Sequence, residues 1–153
     1  MITCAFEDGG TATLRHVTVG GIIIKDGRVL LGKRGTRNGK KMLESGKWGL
    51  LGGFMERDET LEQALAREVK EESGYEIENL KLLRVNSNPD RPAEDRQNVD
   101  VIFVVDAKEK HGQSDEEVTH LQWFSLNDLP PKEMIAFDHA DSLEMYKLQT
   151  SQN

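Results

Sequence analysis

The chain has 153 residues, a formal net charge of −7 at pH 7, 37% hydrophobic and 31% charged residues. That is the size of one ordinary domain with enough apolar content for a core, so residues 1–153 are read as a single domain. No apolar run is long enough to cross a bilayer, no secretory signal is expected from the segment Met1 to Asp8, and the acidic balance speaks against long nucleic acids, which are bound by neutralising many phosphates with Lys and Arg.

Residues 1–15 mix polar and turn residues and give a weak signal. Cys4, the single cysteine, excludes an internal disulfide, agrees with a cytoplasmic setting and is read as inert. The stretch His16 to Lys25 (HVTVGGIIIK) is rich in β-branched residues and predicts a strand. Asp26-Gly27 then predicts a hairpin into a second strand, Arg28 to Lys33, because both positions of that tight turn favour positive φ. Arg34 emerges at its end, either as a surface charge or as a partner for a phosphate or a nearby acid.

Residues 35–47 (GTRNGKKMLESGK) lack a clear period and are expected to form a mobile loop at the rim of a site. Arg37, Lys40, Lys41 and Lys47 in that loop either attract an anion or serve solubility. Beyond Trp48, Gly52-Gly53 and Asp58 form a turn that leads into a helix. Thr60 and Gln63 fit a capping box at its start, and Gly74 supplies its stop. Leu61, Ala64, Leu65 and Val69 mark one face as core-facing.

The glutamates of that helix are oddly placed. At about 100° per residue, Glu68 and Glu72 fall on the same stripe as Leu61 and Leu65, with Glu71 on its edge. Carboxylates one turn apart repel unless something positive sits among them. Mg²⁺ or Mn²⁺ would meet that need, since both are hard cations that take oxygen ligands. The alternative is a solvated acidic face laced by Arg67 and Lys70.

Further on, residues 80–87 suggest a strand and 88–97, with two prolines, a loop. Val99 to Asp106 (VDVIFVVD) is apolar on both alternations and predicts a strand covered on both faces by helices. Lys108 to Val118 is expected as a polar loop, His120 to Leu126 as a strand ended by Pro130-Pro131, and His139 to Leu148 as a closing helix.

Gly53, Glu59 and the run Arg67-Glu68-Val69-Lys70-Glu71-Glu72-Ser73-Gly74 closely resemble the signature of the Nudix hydrolases. Tyr75 stands where that family usually has an aliphatic residue, and Leu51 where its entry turn usually has proline. The resemblance implies an α/β/α sandwich with a mixed β-sheet, and hydrolysis of a phosphoanhydride with Mg²⁺ or Mn²⁺. It implies the Gly52 carbonyl, Glu68 and Glu72 as metal ligands, Glu71 bridging metals or handling the water's proton, and Glu59 with Arg67 as a supporting pair. It also places a general base in the loop before the strand that carries Trp123, with Glu117 chosen and Glu116 in reserve.

Ser87-Asn88-Pro89-Asp90-Arg91, with Arg96 beyond it, resembles the corresponding loop of the ADP-ribose pyrophosphatases in that family. This makes Arg91 and Arg96 candidate substrate-binding residues, beside Arg34 from its place at the strand end. It favours ADP-ribose or a related nucleotide sugar as substrate, split into a nucleoside monophosphate and a phosphorylated remainder. The alternatives are house-cleaning hydrolysis of oxidised nucleoside triphosphates and a non-catalytic nucleotide-sugar sensor. No membrane partner is expected, and a homodimer is possible.

Overall fold

The computed structural model describes residues 2–91 and 98–151. A small hairpin, β1 (Ile2–Ala5) with β2 (Thr11–Leu14), gives the weakly patterned start its form. β3 (Val17–Lys25) and β4 (Arg28–Arg34) then pair antiparallel through Ile24↔Val29 and Lys25↔Arg28. Asp26 and Gly27 turn the chain at φ 50° and 71°, as the two-residue hairpin requires.

The segment expected as a mobile loop is built instead. Residues Thr36–Arg37 (β5) and Lys40–Lys41 (β6) form a second hairpin, with Asn38 and Gly39 at φ 52° and 70°. The Asn-Gly pair is itself a strong hairpin signal, masked here by the brevity and polarity of its flanks. Trp48–Gly49 (β7) joins β4, and Leu51–Phe54 (β8) joins β3. Leu51, where proline was the expected residue, is 1% exposed and pairs with Gly21, so a buried apolar side chain anchors the turn that a ring would have stiffened.

Helix α1 (Leu61–Ser73) follows with its foreseen ends. Thr60 accepts from the Gln63 amide, Gln63 accepts in return from the Thr60 amide, and Gly74 closes the helix at φ 75°. A Cβ on Gly74 would also stand 2.7 Å from the Gly112 backbone, so glycine is needed for space as well as for conformation. β9 (Tyr75–Asn86) starts at once, earlier than its apolar pattern indicated, and β10 (Val99–Lys110) runs past the expected boundary at Asp106. Both extensions come from their mutual pairing, which reaches Lys110↔Tyr75. Strand β11 (Val118–Ser125), a 3₁₀ turn at Lys132–Met134 and helix α2 (His139–Ser151) complete the order.

Among the described residues the main sheet runs β11-β4-β3-β10-β9, parallel only at β3–β10 and antiparallel elsewhere, a mixed sheet as expected. Its faces carry separate cores. On one, Ala64, Leu65 and Val69 of α1 pack on Val101, Phe103 and Val105; on the other, Leu143 of α2 packs on Ile22, Leu31 and Ile102. Strand β10 therefore reads as apolar on both alternations because it is covered on both sides. Tyr75 sets its ring edge-on to Trp123 at 5.6 Å against the α1-side core. No helix among the described residues is long and apolar enough to cross a membrane.

Candidate active site

Two glycines let strand β8 lie close to its neighbours, β3 and helix α1. At Gly52 (φ 146°) a Cβ would lie 2.0 Å from the Val19 carbonyl oxygen, and at Gly53 it would meet the Glu68 carboxylate at 2.6 Å. A side chain at Gly53 would push α1 off β8, and one at Gly52 would push β8 off β3. The close approach lets the Gly52 N–H donate to Glu72 Oε2 at 2.8 Å.

Glu72 is 6% exposed. Burial pushes its carboxyl well above the usual carboxylate range, against the pull of the Gly52 N–H, and the nearby charges of Glu68, Asp115 and Glu117 push it further. Burial also raises Glu68, with Arg67 opposing and Glu71 and Glu117 adding to the rise. Glu71, half-exposed, lies at the margin, 3.2 Å from Arg67. Arg67 grips Glu59 through Nε at 3.1 Å and Nη2 at 2.7 Å, donates to Glu68 at 2.8 Å, and reaches the Phe54 carbonyl at 3.0 Å. Pairing with Arg67 holds Glu59 below the carboxylate range. Glu59 also accepts from the Glu56 amide at 2.7 Å, so helix, entry loop and strand are tied through one guanidinium.

The donor set suits a hard divalent cation. It is oxygen-only, carboxylates outnumber the cations among them, and burial has made holding that charge unfavourable without a counter-ion. Among the described residues no three acidic, imidazole or thiol groups already converge at metal-binding separation. Glu68 and Glu71 turn to Arg67 and Glu72 turns to Gly52, so protein donors occupy the carboxylates.

The loop before β11 packs beside this cluster. Asp115 accepts from the Glu117 amide at 2.9 Å, and burial raises its carboxyl. Glu117 takes Arg37 with both oxygens, at 2.5 and 2.9 Å. Glu116 accepts from the Thr36 hydroxyl at 3.2 Å and from the amides of Asn38 and Gly39 at 2.7 and 3.4 Å. The reserve candidate for a base is thus a fastener of the β5–β6 hairpin.

A cavity of about 410 Å³ opens beside Gly52, Gly53 and Glu117. Its lining includes the cations Arg34, Arg37, Lys40 and Lys41 together with Phe54, Asp100, Phe137 and His139. Arg34 lies over the Phe137 ring at 4.9 Å and donates from Nε to the Leu43 carbonyl at 2.9 Å. Arg91 reaches the cavity wall but is only 7% exposed: it pairs with Asp138 at 2.7 Å and Asp100 at 3.3 Å. Burial raises Asp100 despite Arg91 and Thr18; for Asp138 burial acts the same way, but pairing with Arg91 prevails and lowers it. Arg96 lies outside the described residues.

Sequence patterning had grouped Arg37 with other loop cations and had not singled out Thr18, Asp100, Phe137, Asp138 or His139. They meet only through the β3–β10 pairing and the docking of α2, so their one-dimensional signal is slight.

A family profile described as the NUDIX domain matches residues 14–146. The chain is 36% identical over 130 residues to the ADP-ribose pyrophosphatase of Methanocaldococcus jannaschii, covering 85% of this chain and 72% of that protein. It is 32% identical over 118 residues to the oxidized purine nucleoside triphosphate hydrolase of Danio rerio, covering 76% and 70%. The fold superposes on the crystal structure of a MutT NUDIX hydrolase from Burkholderia pseudomallei with a TM-score of 0.66 at 32% identity, over 87% of this chain and 98% of that one.

Proposed function

The chain belongs to the Nudix hydrolase family, and from that premise we propose that it hydrolyses a nucleoside diphosphate joined to a second moiety, ADP-ribose or a related nucleotide sugar. The products are a nucleoside monophosphate and a phosphorylated remainder. The observation that carries this reading is the cavity of about 410 Å³, large enough for a nucleotide-sized ligand, whose lining joins Gly52, Gly53 and Glu117 with the cations Arg34, Arg37, Lys40 and Lys41. The similarity to the M. jannaschii ADP-ribose pyrophosphatase supports it across 85% of the chain.

Nudix hydrolases in general use divalent metal ions. Here Glu68 and Glu72, with the Gly52 carbonyl and with Glu71 beside them, would hold Mg²⁺ or Mn²⁺. Such an ion, when bound, lowers the pKa of water and neutralises charge on the leaving phosphate. The chain's own groups do the rest. Glu117 accepts a proton from the attacking water, while Arg34 and Arg37, with the lysines of β6, bind and orient the diphosphate. Arg67 and Glu59 keep α1 seated on β8, so that the carboxylates stay at fixed places. A cytoplasmic setting suits a nucleotide substrate.

A second reading, house-cleaning hydrolysis of oxidised nucleoside triphosphates, is favoured by the similarity to the D. rerio hydrolase. Turnover of ADP-ribose, other nucleotide sugars and oxidised triphosphates with Mg²⁺, read by product chromatography, separates them. AMP from ADP-ribose supports the first reading. A nucleoside monophosphate with pyrophosphate from a triphosphate, and no cleavage of ADP-ribose, establishes the second, and no turnover of any supports a sensor.

A further inference from the structure

His139 begins α2 and lines the cavity, and its ring has one nitrogen committed. Nδ1 stands 3.1 Å from the Leu50 amide nitrogen and accepts its N–H. An acceptor nitrogen carries no proton, so in the neutral ring the proton resides on Nε2, which can donate and cannot accept. Among the described residues Nε2 makes no hydrogen bond, and it is not one of the polar atoms buried without a partner. The carboxylates that neighbour it are engaged elsewhere: Asp138 with Arg91 and Asn86, Glu44 with Lys47 and the Phe137 amide.

The ring is also held neutral. Burial pulls its pKa down to about 3, and Arg34 and Arg91 act in the same direction, while Asp138 and Glu44 oppose them. The surroundings suit a nucleobase. Phe137 sets its ring edge-on to His139 at 5.4 Å, and Leu50 and Leu43 supply apolar surface in the same cavity.

Resting on the reading that this cavity takes a nucleotide, we infer that His139 is a specificity-determining residue whose Nε2–H donates to a ring-nitrogen acceptor of the nucleobase. A donor that cannot accept favours a partner that can only accept, as an unprotonated purine ring nitrogen does. A hydroxyl could answer either way and would be chosen less sharply.

Calorimetric titration with AMP and with 1-deaza-, 3-deaza- and 7-deaza-AMP tests this, because each analogue removes one acceptor. One analogue is expected to bind the native protein about fivefold more weakly than AMP, the effect of one net hydrogen bond. His139→Gln, which can accept from Leu50 and still donate, should keep that ratio, and His139→Phe should abolish it. The inference is overturned if the native protein binds all three analogues as it binds AMP, if His139→Phe keeps the native ratio, or if AMP does not bind. Turnover of ADP-ribose, measured in parallel, reports separately on the proposed function: its absence with discrimination intact refutes the activity and leaves the role of His139 standing.

Discussion

Glu117 is held by Arg37 through both carboxylate oxygens, at 2.5 and 2.9 Å, across 80 residues of sequence. The proposed base and a cation of the cavity wall therefore share one ion pair, and the two substitutions should separate kinetically. Glu117→Gln should lower kcat by at least about 100-fold with KM little changed, as loss of a general base does. Arg37→Ala should raise KM more than it lowers kcat. Steady-state kinetics of AMP formation check both, and a mainly KM effect at Glu117 would remove it as the base.

Glu72→Gln is expected to divide activity from stability. The amide oxygen can still accept from the Gly52 N–H, and the burial of a charge is relieved. Turnover should fall by orders of magnitude, while the melting temperature without added metal stays equal or rises. A lower melting temperature would show that the carboxylate is needed for the fold.

Arg91→Ala should destabilise by about 3–5 kcal/mol, because it leaves Asp100 and Asp138 enclosed without their counter-ion. Urea unfolding measures this. A loss under about 1 kcal/mol, with weakened ADP-ribose binding, would instead make Arg91 a ligand contact.

Acid should act on stability partly through His139. Its pKa is about 3 in the fold against 6.5 as the ordinary value, so between those limits the unfolded chain binds more protons. This contribution is present above about pH 6.5 and is lost as pH falls toward 3. His139→Gln should flatten that part of the stability profile, and urea unfolding at pH 7 and pH 5 reads the difference. Equal slopes in the two proteins would mean the imidazole titrates normally.

Where structure follows from neighbours in sequence, it could be read from the chain. The caps Thr60 and Gly74 fix α1, and its 3.6-residue period places Glu68 and Glu72 on the inner stripe, where the structure finds them half-buried and buried. The Asp26-Gly27 turn was legible for the same reason. Where long-range partners decide, it could not. The β5–β6 hairpin is fastened by Glu116 and Glu117, some 80 residues away. Arg91 reads from its loop as a candidate for substrate binding, and its burial could not be read there because Asp100 on β10 and Asp138 before α2 close on it from a distance in sequence. The early start of β9 likewise depends on β10 rather than on its own alternation.

The grip of Arg67 on Glu59, Glu68 and Glu71 gives this chain an internal counter-ion. Where a fold is built on its metal, withdrawing the ion unfolds the domain, because binding and folding are then one event. With Arg67 among the carboxylates, folding is not expected to wait for the proposed ion. On the proposed metal role, a chelator should then lower turnover while leaving the melting temperature unchanged, and newly made protein should accumulate in native form where free Mg²⁺ is scarce. Adding the ion back should restore turnover from that standing pool, without new synthesis.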